Sequence, residues 1–263
     1  VGEGITGMAN ADIIRLAFFL GTLAVVAAWE ILAPRRVLTD SKRRRWFTNL
    51  AIVAVDTAFA RIILPLLPVG MAVMTHQPGG LPYWLKVLLS IIALDFVIYL
   101  QHVLFHFVPV FWCLHRMHHT DLDIDVTTGN RFHPFEIVIS LGIKMAAVAL
   151  IGAPVLAVVV FEILLNATSQ FNHGNIAIPV AVDKYLRLFV VTPDMHRVHH
   201  SVIPRETNSN FGFNLPWWDR LCGTYRPQPE KGHEGMTIGL NDFRNPARLT
   251  LFHLLVQPFT GKS

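Results

Sequence analysis

Long apolar runs separated by short polar connections fill the first two thirds of the chain. Four of them, at about 12–33, 47–74, 83–106 and 134–173, exceed the roughly 18 residues a helix needs to cross about 30 Å of hydrocarbon. The last is nearly double length and is interrupted by Gly152, Ala153 and Pro154, which predicts a helical hairpin of two spans or two half-spans. From about residue 184 the pattern turns polar, with turn-rich segments at 203–210 and 228–235, and predicts a cap packed under the spans. No repeat of fixed period is visible, although the histidine spacing at 115–119 returns at 196–200. The expected fold class is all-α, a polytopic membrane helical bundle of about four spans, the last pair a hairpin, with a cytoplasmic histidine-rich cap. Region 1–94 holds the N-terminal spans and a basic loop, 95–226 the chemistry, and 227–263 a C-terminal cytoplasmic tail.

Composition sharpens this picture. Of the 263 residues 52% are hydrophobic and only 15% charged, and the mean hydropathy of +0.45 excludes an ordinary soluble domain. A net charge of +4 raises nucleic acid as a partner, but the cations concentrate at 35–37 and 42–45, directly after the first apolar run. That placement marks topology, and no nucleic-acid partner is expected. A cytoplasmic basic loop sends the second span out and the third back, which brings His102 and His106 to the cytoplasmic end. A hairpin that returns to the side it left keeps 107–133 and everything beyond about 174 on that face, with Val1 outside and Ser263 inside. The first run has neither a basic segment before it nor a small-residue cleavage site, so it reads as a retained span rather than a signal peptide. Two cysteines, Cys113 and Cys222, are too few for a disulfide framework, a four-cysteine zinc site or an iron–sulfur cluster.

Chemistry enters with the histidines. His102 and His106 form HxxxH, His115, His118 and His119 form HxxHH, and His196, His199 and His200 repeat HxxHH. Residues at i, i+3 and i+4 share a helix face, so each box aims two or three imidazoles in one direction. With 13 histidines in the chain, one HxxHH arises by chance on the order of a few hundredths of a time. Eight imidazoles exceed what one ion uses, so two metals are implied. His173, at the end of the hairpin's return helix, is a ninth candidate, while His133 is open between ligation and capping the start of the hairpin. His76, His233 and His253 lack partners at helical spacing and read as ordinary histidines. Two polar stripes, Asp95–Tyr99–His102–His106 and Glu162–Asn166–Ser169–His173, run along the third span and the return helix. Neutral imidazoles leave the metal charge uncompensated, so Asp95, Glu162 and Asp194 are candidates to hold the distal ring N–H groups; helix–helix hydrogen bonding is the competing reading. Asp56 and Arg61 on the second span pair with one another or with a neighbour.

These boxes resemble the fatty acid hydroxylase and sterol desaturase superfamily. The resemblance runs from about Asp95 to Arg226 and includes ThrProAspMetHisArgValHisHisSer at 192–201 and the segment AsnPheGlyPheAsnLeuProTrpTrpAspArgLeuCysGlyThrTyr at 210–225. It implies ligation at His102, His106, His115, His118, His119, His196, His199 and His200, with His173 matching the histidine before the last box. Where some members pair that histidine with another four positions earlier, this chain has Ser169. The resemblance further implies two non-haem irons, O2 as co-substrate, a lipid-like substrate that is hydroxylated or, as the second choice, desaturated, and an external electron donor. Zinc and copper suit the same donors. With no CxxC or haem-binding motif, the donor is expected to be a separate ferredoxin-, rubredoxin- or cytochrome-type protein. A membrane metal transporter fits less well because its ligands would lie near the bilayer midplane, and a haem electron-transfer protein would not use two triplets.

Overall fold

The computed structural model describes residues 2–64, 67–76 and 79–260, so Val1 and Ser263 lie outside the described residues. The described residues form helices and two isolated bridges, with no strand. Helix α1 spans Gly2–Leu32, α2 Lys42–Ile63, α3 Pro68–Thr75, α4 Tyr83–Phe107, α5 Pro109–His119, α6 Pro134–Ile151, α7 Val155–Asn172, α8 Val180–Leu186 and α9 Pro193–His199. Among the described residues, five segments are long and apolar enough to cross a membrane: Ala11–Leu32, Lys42–Thr75, Tyr83–Phe107, Pro134–Ile151 and Val155–Asn172. The hairpin is two helices, as the sequence predicts. Gly152 ends α6 in the left-handed region at φ 64°, a conformation that costs a residue with a Cβ, and α7 starts directly after Pro154. The second apolar run differs from its expectation. It is divided into α2 and α3, because Pro68 at the start of α3 has no N–H to continue an α-helical ladder.

In the bundle, α1 packs along α7 and α2 along α6, while α4 lies against both hairpin helices. The apolar core Val69, Leu94, Ile98, Val148, Val158 and Phe161 closes the end remote from the histidines. Exposed Phe18, Ile62, Leu100 and Leu150 face outward, as lipid-contacting side chains must. The polar part of the chain caps the other end.

The basic segment after α1 does more than mark topology. Arg45 is 3% exposed and sits between Asp121 and Asp125, each at 2.6 Å. Lys42 pairs with Glu30, Arg44 with Asp40, and Arg36 donates to the carbonyls of His233 and Met236. Arg45 and Arg36 tie the α1–α2 connection to the cap and place it on the histidine face.

Candidate metal centre

Two short helices bring the boxes together. Helix α5 follows α4 after the single residue Val108, and Pro109 in its first turn helps to set the change of direction. Helix α9 has Pro193 at its start and is capped by Thr192, whose hydroxyl accepts from the Met195 N–H. The outcome is two buried groups of imidazoles. His102, His106, His115, His119 and His199 form one and His118, His173, His196 and His200 the other, with the nitrogens in each group all within 4.8 Å of one another. The i, i+4 pairs His102/His106, His115/His119 and His196/His200 stay together on one helix face. The remaining member of each HxxHH box is turned away from that pair: His118 joins the second group and His199 the first. Each box therefore serves both groups.

The hydrogen bonds fix the tautomers. His102 Nδ1 donates to the Phe211 carbonyl at 2.7 Å, His118 to Arg131 O at 3.2 Å, His173 to Ser169 O at 2.7 Å and His199 to Ser209 O at 2.7 Å. His115 Nδ1 meets Glu136 Oε1 at 2.6 Å and His106 Nδ1 meets Asn208 Oδ1 at 3.2 Å. With the proton on Nδ1, each Nε2 presents a lone pair. Those of His102 and His115 stand 3.2 Å apart, and His173 Nε2 lies 3.1–3.2 Å from nitrogens of His118, His196 and His200. Converging lone pairs repel unless a cation lies among them. Two nitrogens bound to one ion at about 2.1 Å stand about 3.0–3.4 Å apart, which matches the spacing here. Nitrogens of His106, His119, His196, His199 and His200 are also buried without a partner in the protein. The donor set therefore fits metal ions. Burial keeps the cap imidazoles neutral, as ligands must be: His115 and His173 are pushed down to about 3, and His118, His119, His196, His199 and His200 lie well below the ordinary histidine range.

The three carboxylates proposed to hold ring N–H groups have other partners. Asp95 accepts from Asn214, the Leu215 N–H and Trp218, joining α4 to the cap. Glu162 pairs with Arg15 and Lys144, and Asp194 with Arg35 and Arg197. The carboxylate on a site histidine is Glu136, in the first turn of α6, and the amide is Asn208. Sequence reasoning missed both, although an acidic residue near the start of an apolar span was the available signal for Glu136. His133 lies outside both groups: its Nδ1 accepts from the Phe135 N–H, capping α6, and its Nε2 meets the Leu255 carbonyl at 3.0 Å. His76, His233 and His253 are likewise outside, and Arg61 pairs with Asp12 rather than Asp56.

A cavity of about 450 Å³ opens beside the first group, enclosed by α1, α2, α4, α6 and α7. His102 and His115 belong to its wall, with Ile98, Phe105, Leu141 and Leu165 among its apolar lining. Helices α1 and α2 pack on α7 and α6 more than on each other, and Arg61 on α2 meets Asp12 on α1 across the cavity.

Comparison with known proteins finds a match to the fatty acid hydroxylase family over residues 87–224. The ornithine lipid hydroxylase OlsE of Rhizobium tropici is 26% identical over 233 residues, 83% of this chain and 70% of that protein. The alkylglycerol monooxygenases of Xenopus tropicalis and Homo sapiens are 30% and 29% identical over 64% and 63% of this chain, which spans 36% of each. No solved structure matches the chain.

Proposed function

The chain belongs to the fatty acid hydroxylase family, and from that premise we propose that it is a membrane-embedded, O2-dependent monooxygenase that hydroxylates a C–H bond of a lipid-like substrate at two non-haem irons. The observation that carries this reading is the double membership of His102 and His115, which stand both among the convergent imidazoles and in the wall of the cavity. Imidazole suits zinc and copper as well as iron, so the choice of iron rests on family membership. The names of the relatives, an ornithine lipid hydroxylase and alkylglycerol monooxygenases, support a lipid substrate.

Bound iron would supply the activation of O2: one oxygen atom would be inserted into a C–H bond to give C–OH, and the other would leave as water with two protons and two electrons from the external donor. The chain supplies the setting. Nine imidazoles come from α4, α5, the end of α7 and the α9 box, and six of them are held in fixed tautomers by the oxygens opposite them. The apolar part of the cavity wall, Ile98, Phe105, Leu141 and Leu165, holds a substrate chain beside the first group. The electrons are assigned to a separate ferredoxin-, rubredoxin- or cytochrome-type donor docking on the cap, and the site to the cytoplasmic face.

The test is single turnover of the iron-loaded protein in nanodiscs with a reduced donor and isotopically heavy O2, followed by mass spectrometry of the lipids. A lipid that gains one heavy oxygen is expected. A product that only loses two hydrogens would make the enzyme a desaturase, and an intense Soret band would replace the non-haem site with haem.

A further inference from the structure

We propose that the cavity selects a lipid whose polar part carries an ammonium group, and that Asp56 receives it. The proposal deepens the hydroxylase reading and rests on it for the cavity being the substrate's place.

The charged residues lining the cavity fall into two sets. At the end remote from the histidines, Arg15 bridges Asp12 and Glu162, Arg61 reaches Asp12 at 3.2 Å and Lys144 reaches Glu162 at 3.3 Å. Three cations there face two carboxylates, so this end repels a further positive charge. Nearer the histidines the balance reverses. Glu136 gives one oxygen to His115, and its other oxygen is buried with no partner in the protein. Asp56 is 6% exposed, makes neither hydrogen bond nor ion pair among the described residues, and has its Oδ1 buried without a donor. Gln101 donates its amide to Ser140 Oγ at 3.0 Å, while its Oε1 is a third acceptor left without a donor. These acceptors come from α2, α4 and α6 and line one cavity.

A plain acyl chain would leave all three acceptors undonated, which a native interior avoids. A carboxylate headgroup would add acceptors and charge of the same sign. An ammonium brings three N–H donors and the opposite charge, and of simple lipid polar groups it answers this lining most completely. The register on α6 sets its depth: Ser140, which fixes Gln101, is one turn, about 6 Å, beyond Glu136. The polar group therefore seats close to the histidine end, and the oxidised carbon lies near the headgroup rather than far along the tail.

The full chain in nanodiscs is titrated with radiolabelled hexadecylamine, hexadecanol and hexadecanoate, and partition into empty nanodiscs is subtracted. Hexadecylamine is expected to saturate at least about tenfold more tightly than hexadecanol, with no saturable binding of hexadecanoate. Asp56→Asn, nearly isosteric, should abolish that preference, whereas Asp56→Glu should keep it. Equal affinities for amine and alcohol in the parent, or a preference that survives Asp56→Asn, would overturn the proposal. Because the readout is binding, such a result leaves the hydroxylase reading standing. An intact amine preference in a protein that never oxygenates a lipid would overturn the hydroxylase reading alone.

Discussion

An imidazole has two nitrogens, and fixing the proton on one aims a lone pair from the other. Six of the nine site histidines have Nδ1 fixed in this way, four of them by backbone carbonyls. The ligand boxes are legible in sequence because helical spacing alone gathers them. Carbonyls of Phe211, Arg131, Ser169 and Ser209 carry no residue identity, so that half of the support is invisible until the chain is folded. The misplacement of Asp95 has a related cause: a helical stripe gives the direction of a side chain but not which neighbour arrives opposite it, and Asn214 and Trp218 came from the far end of the chain. Glu136→Leu should therefore weaken metal binding on the order of 10–100-fold by freeing the His115 ring, while Asp95→Asn should lower stability and leave metal stoichiometry unchanged. Elemental analysis of the two purified variants separates these outcomes. His199→Ala should lose metal and activity together, and a variant that kept both would remove His199 from the site.

Acid should act on the same residues in a defined sense. Folding lowers the histidine pKa values, to about 3 for His115 and His173, whereas the unfolded chain takes up protons near about 6.5. Between those values the unfolded state binds more protons, so stability is full above about pH 6.5 and falls as the pH drops toward 3. Protonation of a ligand then requires the cap to open. Metal release and loss of the cap's near-ultraviolet circular dichroism should coincide in an acid titration, and release from an intact cap would contradict this account.

At the scale of elements, the spans and the hairpin follow from run length and from Gly152 and Pro154, while the division of α2 from α3 was hidden inside a continuous apolar run. Two contacts between elements carry consequences. A Cβ at Gly129 would lie 2.5 Å from the Ser169 carbonyl oxygen and 3.1 Å from His173 Nδ1. Gly129→Ala must push the 128–130 turn off the end of α7, costing about 1–3 kcal/mol and displacing His173. Metal in the second group should fall while helicity by far-ultraviolet circular dichroism stays constant; full metal occupancy would show that the turn can yield. The second is between α1 and α2, which pack more on α7 and α6 than on each other. Leu16 and Thr57 line the cavity from these two helices, and a lipid entering sideways would part them. Joining Leu16→Cys and Thr57→Cys with a reducible cross-linker, after Cys113 and Cys222 are replaced, should suppress turnover of membrane-delivered substrate at unchanged metal content, and reduction should restore it. Unimpaired turnover in the cross-linked state would place the portal elsewhere.

Across the whole molecule, the cap and the α1–α2 connection form one body: Arg45 lies buried against Asp121 and Asp125, and Arg36 reaches the carbonyls of His233 and Met236. They must therefore share one side of the membrane, whichever side that is. The run of cations that suggested a cytoplasmic loop is largely consumed by these ion pairs, which weakens the charge-bias argument without reversing it, since Arg43 remains exposed. Sidedness is accessible through single cysteines in a background without Cys113 and Cys222. Arg43→Cys in the connection and Lys231→Cys in the cap should react with an impermeant maleimide only after the cells are opened, whereas Tyr83→Cys, at the far end of α4, should react in intact cells. The reverse pattern would put the metal centre outside the cytoplasm and require electrons to be delivered there. If Arg43→Cys and Lys231→Cys reported opposite sides, the packing of the cap against the α1–α2 connection would itself be refuted.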